Sequence, residues 1–233
     1  MSAIEFNTGH VPGRIVWGHP LKAKPKTRKN PVTGGNETVI KDGKPVDVWA
    51  FGVAYPKAHF EAYVLPYLHN AAGVGYPNGV PRNFSWKYLD GDTVDNKGQP
   101  YSNRTGYAGC YILTIQTEAF APAVYRRSNP NDPNSAFMQI GEAEIKCGDY
   151  VALGLSVKVN VPTNQTHTPG LYVNPTVVEL VAAGEAIVNS GGADPNQVLG
   201  QVQYQLPAGA QALGAMPMAQ PMAQPMAQPM AQP

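Results

Sequence analysis

The chain has 233 residues, a formal net charge of +1 and only 14% charged residues. Its 24 glycines and 23 prolines favour short strands and many turns over long helices. No run of residues is long and apolar enough to predict a membrane-spanning helix, and the first residues lack the apolar stretch of a signal peptide. The two cysteines, Cys110 and Cys147, match no metal-binding spacing. We therefore expect a protein of a reducing cytoplasm, with both thiols packed in the interior.

Positive charge is concentrated near the N-terminus. Residues 1–29 contain six basic residues and one acidic residue. Within this segment Lys22, Lys24 and Lys26 alternate with Ala23 and Pro25. In an extended chain this alternation places the three cations on one side, where they would suit the phosphates of a polyanion. A solvated, flexible arm is the alternative interpretation.

Alternating and β-branched residues predict five strands, and one pattern of three-and-four spacing predicts a helix. The helix covers about residues 58–72, between the second and third strands, and Pro66 should kink or shorten it. Residues 73–106 look loop-like. Five strands with long connections and one inserted helix fit a partly open barrel of the OB type. In chain order the predicted strands are Gly13–Gly18, which His19-Pro20 should end, Val46–Tyr55, Gly109–Thr117, Asp149–Val161 and Leu171–Val181.

The C-terminal end differs in kind from the rest. No charged residue follows Asp194, and a Pro-Met-Ala-Gln unit that begins at Pro217 is repeated four times before Pro233. A proline at every fourth position blocks both helix and sheet, which predicts a disordered tail with polyproline character. We expect one OB-fold domain over residues 1–195, including the basic segment, and an uncharged tail over residues 196–233.

The residue types that carry catalysis do not form a recognisable set. The five histidines are scattered, and the sequence contains no glycine-rich phosphate loop, no nucleophile elbow and no Cys-x-x-Cys pair. Asp90-Gly91-Asp92 resembles the start of a calcium loop, but the closing glutamate is missing, so a plain turn is predicted. We therefore expect neither an enzyme nor a bound metal or other cofactor.

Aromatic residues stand next to basic residues at several places. Rings that stack on bases, beside cations that meet phosphates, are the two parts that a single-strand binder needs, although each ring has a place in the core as its alternative. In Trp86-Lys87-Tyr88 an extended backbone would turn both rings to one face and the lysine to the other. The candidate nucleic-acid-binding residues are Trp17, Lys22, Lys24, Lys26, Trp86, Lys87, Tyr88, Arg104, Tyr111, Tyr125 and Arg126.

Short stretches in a recognisable order span about residues 13–188. They are Val16–Pro20 with Lys24–Lys26, Phe51–Lys57, Trp86–Asp92, Gly98–Tyr101, Ala121-Pro122, Gly148–Val151, and Pro169–Asn174 with Gly184-Glu185. In their order and spacing the chain resembles the OB-fold single-stranded DNA-binding proteins of tailed bacteriophages. The resemblance implies an OB barrel that binds single strands with little sequence preference during phage DNA replication or recombination, in the cytoplasm of the infected bacterium.

The chain departs from the pattern of that family at its C-terminus, which is commonly acidic and recruits replication partners. The neutral tail of this chain puts recruitment through the tail in doubt and leaves DNA binding untouched. Single-stranded DNA is the expected partner, with phage replication or recombination proteins and a second copy of the chain as further candidates. The rival hypotheses are a structural virion protein, which would form a stable ring or shell of subunits, and an enzyme of nucleic-acid metabolism.

Overall fold

The computed structural model describes residues 3–30, 32–118, 120–163 and 168–188. The predicted tail over residues 196–233 lies outside these ranges. The described residues form a mainly β protein, and none of their helices is long and apolar enough to cross a membrane. The elements are β1 (Ile4–Asn7), β2 (Gly13–Pro25), β3 (Thr27–Lys29), β4 (Asn36–Thr38), β5 (Ile40–Lys41), β6 (Lys44–Pro45), β7 (Asp47–Pro56), α1 (Lys57–Tyr63), α2 (Leu65–Gly75), β8 (Tyr88–Asp90), β9 (Cys110–Thr117), β10 (Val124–Arg127), β11 (Phe137–Gln139), β12 (Tyr150–Asn160) and β13 (Gly170–Ala182).

The main sheet contains nine strands in the order β11-β10-β13-β12-β2-β7-β9-β8, with β1 also paired to β12. The β10–β13 pair is parallel and the other pairs are antiparallel. In the described part of the chain β9 and β13 form no ladder, and one isolated bridge between Ser85 and Gly170 connects the segment before β8 to β13. The sheet is therefore mixed and is not a closed barrel.

The five predicted strands correspond to β2, β7, β9, β12 and β13, but the prediction of only five strands is wrong. The other strands have two to four residues, too few to show a period of two. Strand β2 also continues beyond Pro20, which was expected to end it. Its pairing with β7 is irregular between Gly18 and Ala23, and in such a bulge a proline removes no ladder hydrogen bond.

The core lies against the inner face of this sheet. Alternation along β7 turns Phe51, Val53 and Tyr55 inward, and all three are fully buried. The predicted helix is in fact two helices that break at Val64, and Pro66 lies in the first turn of α2, where its missing N–H costs no helical bond. The predicted effect of Pro66 is thus confirmed.

A smaller cluster lies on the opposite face of β7 and β9. It contains Val16, Ala54, Tyr107 and Ile112, with Cys110 packed against it. Cys147 packs against the main core. Both thiols are half-buried and free, and burial raises the pKa of each.

Asp149 holds together the entry to β12 and the segment that follows β13. The residue is only 2% exposed, and its carboxylate accepts hydrogen bonds from the backbone N–H groups of Lys146 and Gly184, both at 2.9 Å, and from Lys146 Nζ. Burial alone would raise the pKa of Asp149, but these donors outweigh it, and the pKa lies below the usual range.

The substitution Asp149→Asn should lower the free energy of unfolding at neutral pH by about 1–3 kcal/mol, because one buried partner of Lys146 loses its charge. Because the pKa of Asp149 is lower in the folded state, its ionised form stabilises the fold at pH values above the unfolded-state pKa of about 3.9. This stabilisation is lost as the pH falls through the folded-state pKa. The gap between parent and variant should therefore close in acid. Urea unfolding across pH measures it, and a gap that stays constant down to the lowest pH would contradict this role.

Candidate nucleic-acid interface

A polar groove of about 610 Å³ lies between β9 and β13, which are neighbours without a hydrogen-bonded ladder. The two strands form the groove because each alternates between core and surface. On β9, Leu113 and Ile115 are buried, which leaves Thr114 and Gln116 on the outer face. Because β9 and β13 do not pair with each other, their outer faces form two polar walls that face the solvent.

Strand β12, which pairs with β13, extends the β13 wall of the groove. On β13, Tyr172 and Asn174 lie on the outer face beside buried Val173. Antiparallel pairing sets Lys158 of β12 opposite Tyr172, and Ser156 opposite Asn174. The register thus places one cross-strand pair of a cation and a ring, Lys158 and Tyr172, next to a second pair of uncharged polar side chains.

The groove combines exposed rings with cations. Tyr172 is 52% exposed and Phe120 is 59% exposed, so both rings are accessible to a ligand in the groove. Among the described residues neither Lys87 nor Lys158 has a carboxylate within 4.0 Å, whereas Lys26 pairs with Glu118 at 2.7 Å. Unpaired cations beside exposed rings are suited to a chain of phosphates and unstacked bases.

A basic β-arm, residues 21–48, adjoins the groove at Lys26. The arm contains seven basic and three acidic residues, and none of its described residues is buried. It consists of the end of β2, the β3–β4 and β5–β6 pairs and the start of β7. Arg28 pairs with Glu37 at 2.6 Å, and this contact lowers the pKa of Glu37. Four arm lysines have no carboxylate partner among the described residues: Lys24, Lys29, Lys41 and Lys44.

The three lysines predicted as one phosphate-binding row have different surroundings. Lys22 pairs with Glu142 at 3.1 Å, on the 3₁₀ helix Glu142–Glu144, and Lys26 lines the groove. Lys24 is exposed on the arm, where β2 pairs with β7. The predicted extended backbone is confirmed up to Pro25, and the role of the row in binding stays a prediction.

Trp17 lies on the outer face of the sheet. A Cβ atom on Gly52 would fall 1.8 Å from Trp17 Nε1, so glycine at that position makes room for the indole. Gly52 is paired on its other side with Thr114, a groove residue. Trp17 is half-buried and packs against the Val16 cluster. Its location beside the groove is compatible with the predicted base contact.

The structure favours the core alternative for Trp86 and Tyr88. Lys87 has a φ of 64°, so the tripeptide is not extended as the period-two argument required. The two rings do share a side, 6.5 Å apart, but that side packs on the main core, with Trp86 4.8 Å from the ring of buried Phe84. Burial raises the pKa of Tyr88. Lys87 alone of the three lines the groove, and its carbonyl accepts a hydrogen bond from Thr114 N–H at 2.7 Å.

The remaining predicted residues lie outside the groove. Tyr111 packs against Phe60 at 5.1 Å and donates its hydroxyl to Glu61 at 3.3 Å. Arg104 stacks on Tyr101 at 4.8 Å. Tyr125 lines a separate apolar cleft of about 390 Å³, and Arg126 is 3.7 Å from Glu144. The structure thus brings together only Lys26, Lys87 and the nearby Trp17 from the predicted set.

Among the groove residues that carry a ring or a cation, three were not predicted from the sequence. Tyr172 and Lys158 are outward positions of two strongly alternating strands, and Phe120 follows β9 closely. The alternation could have marked the first two as surface residues. Their proximity depends on strand pairing, which no local pattern reveals.

The predicted plain turn at Asp90-Gly91-Asp92 is confirmed. Lys57 Nζ is 2.6 Å from Asp90 Oδ1 and 2.7 Å from Asp92 Oδ2, so a lysine neutralises both carboxylates. Gly109 N–H donates to Asp92 at 2.8 Å, and this bond together with Lys57 lowers the pKa of Asp92. No group of three or more His, Cys, Asp or Glu side chains within the described ranges is arranged to hold a metal ion.

Comparison with known proteins gives similarity at the level of the fold. No family model and no curated protein matches the sequence. A C-terminally truncated single-stranded DNA-binding protein from bacteriophage Enc34 has a TM-score of 0.50 and 15% identity over 78% of this chain and 87% of its own. A second structure of that phage protein has a TM-score of 0.50 and 13% identity over 84% of this chain and 89% of its own. The chain therefore shares its fold with a phage single-stranded DNA-binding protein.

Replacing Trp86 by alanine should lower the free energy of unfolding by roughly 3 kcal/mol, the lower end for a large aromatic side chain, because Trp86 is only partly buried. DNA affinity per folded molecule should stay within about twofold of the parent, because a ring that packs on the core does not stack on a base. Loss of a stacking ring would lower the affinity by much more than twofold. Thermal melting and titration below the melting temperature separate the two effects, with Trp86→Phe as the milder control. A stable variant with a large loss of affinity would restore Trp86 as a stacking ring.

Proposed function

We propose that this chain is a non-enzymatic single-stranded DNA-binding protein that holds the strand in the β9–β13 groove and tolerates any sequence. The observation that carries this proposal is the meeting of unpaired Lys87 and Lys158 with the exposed rings of Tyr172 and Phe120 in one groove. Cations can meet the phosphates while the rings stack on bases. The shared fold with a phage single-stranded DNA-binding protein supports the same function.

The basic β-arm extends this surface. Lys26 belongs to both the arm and the groove, so a strand that leaves the groove on that side meets Lys24, Lys29, Lys41 and Lys44. These cations are exposed, and contacts with them are expected to be long-range and sensitive to salt. We infer that the groove supplies stacking and the arm supplies additional charge.

The interrupted sheet supports an OB-type core. The strands predicted for the barrel, β2, β7, β9, β12 and β13, are the long strands of the sheet, and the gap between β9 and β13 corresponds to a partly open barrel. We further propose that the protein protects single strands during phage DNA replication or recombination, in the cytoplasm of the infected host. The support for that setting is the phage origin of the structures that share the fold.

Removal of the two unpaired groove lysines should reduce the salt dependence of binding. Each phosphate contact on a single strand contributes a slope of roughly −0.7 to log K against log salt. The double variant Lys87→Ala, Lys158→Ala should therefore flatten the slope by roughly 1.4 if each lysine makes one contact. Fluorescence titration with oligothymidylate at several salt concentrations measures this slope.

The control for this experiment is Lys97→Ala, which removes a cation that is exposed, like Lys158, but does not line the groove. Its slope should equal that of the parent. An unchanged slope in the double variant would contradict the groove as the binding site. Assembly of the parent into a stable ring or shell that does not bind oligothymidylate would favour a structural virion protein instead.

Loss of the Tyr172 ring should weaken binding without affecting the fold. Base stacking on one ring is worth roughly 1–3 kcal/mol by alanine substitution, and Tyr172 is 52% exposed, so Tyr172→Ala should melt close to the parent. Tyr172→Phe keeps the ring and should keep the affinity. Equal affinities of the parent and Tyr172→Ala, measured by titration with oligothymidylate, would remove this ring from the site.

A further inference from the structure

The walls of the groove contain more uncharged polar side chains than are needed by a surface that contacts only the backbone and the ring faces of a single strand. Such a surface requires rings and cations. Here Thr114, Gln116, Ser156, Asn174 and Thr176 also line the groove, from three different strands. All except Thr176 are half-buried. A bound base would therefore cover amide and hydroxyl groups that water now solvates.

These side chains have unused hydrogen-bonding capacity. The side chains of Thr114, Ser156 and Asn174 form no hydrogen bond with another described residue, whereas Gln116 Nε2 donates to Glu118 at 3.3 Å. A polar group that a ligand covers without pairing costs about 1–3 kcal/mol. The groove should thus distinguish bases whose edges satisfy these groups from bases whose edges do not.

Asn174 has the most specific geometry of the set. It lies two residues from Tyr172 on the same face of β13, a separation of about 6.6 Å along a strand. A base stacked on the Tyr172 ring can therefore point its edge along the strand toward the amide. Pairing with Ser156 from β12 places a hydroxyl, which can donate or accept, next to that amide.

An asparagine amide offers one acceptor and two donors in a fixed plane, and its characteristic base partner is adenine. The 6-amino group of adenine donates to the amide oxygen, while a neighbouring ring nitrogen accepts from the amide nitrogen. We propose that Asn174 reads the edge of the base stacked on Tyr172 and favours adenine at that position. This inference rests on the proposed function and adds a preference to binding that otherwise tolerates any sequence.

The test compares two homopolymers that differ in one group. The probes are oligodeoxyadenylate and the same oligomer built from the purine deoxynucleoside that lacks the 6-amino group, so the stacking ring is retained. The parent should bind the adenine oligomer about tenfold more tightly, within the range of one bidentate contact. Asn174→Ala should bring the ratio of the two dissociation constants close to one.

Two further variants sharpen the comparison. Asn174→Asp keeps an acceptor for the 6-amino group and removes the donor to the ring nitrogen that both oligomers share, so both should bind more weakly while the preference for adenine persists. Asn96→Ala changes an exposed asparagine that does not line the groove and should keep the tenfold ratio. Thermal melting of each variant checks that the fold is intact.

The outcomes separate this inference from the proposed function. Equal affinity of the parent for both oligomers would overturn the reading by Asn174 and leave single-strand binding intact. A ratio that persists in Asn174→Ala would overturn it as well, because ring stacking would then be the cause. Failure of the parent to bind any single-stranded oligomer would overturn the proposed function and this inference together.

Discussion

The gap between β9 and β13 is the feature on which the proposed site depends. Paired strands lie about 4.8 Å apart, and their outward side chains form one continuous surface. Because these two strands form no ladder, the outward residues Thr114 and Asn174 become opposite walls of a groove. The inward residues Ile115 and Val173 remain buried beneath it. One missing ladder thus opens a groove at the surface without opening the core.

The core explains why several of the rings expected to bind DNA are packed against other side chains. Trp86, Tyr88 and Tyr111 were predicted to stack on bases, yet their rings pack with Phe60 or with one another. In a β-rich protein of this size, large rings supply much of the buried apolar area. The rings that remain half-exposed beside unpaired cations, Tyr172 and Phe120, are the better candidates for base stacking.

Sequence patterns predicted the long helices and strands but could not predict which of them lie side by side in the folded protein. The strands β7, β9, β12 and β13 were found because each has eight or more residues with alternating or β-branched side chains, and the helix break near Pro66 followed from its missing N–H. Strands of two to four residues carry too little periodicity to be recognised. The interpretation of Trp86-Lys87-Tyr88 assumed an extended backbone, which the positive φ of Lys87 rules out. The groove was missed because Lys158 and Thr114 become neighbours only through tertiary pairing.

The location of the strand can be measured directly by photo-crosslinking. An oligothymidylate that carries 5-bromodeoxyuridine, irradiated in complex with the parent protein and analysed by mass spectrometry, should crosslink to peptides that contain Tyr172 and Phe120. Efficient crosslinking confined to Tyr125 and Phe137, which line the separate apolar cleft, would contradict binding in the β9–β13 groove.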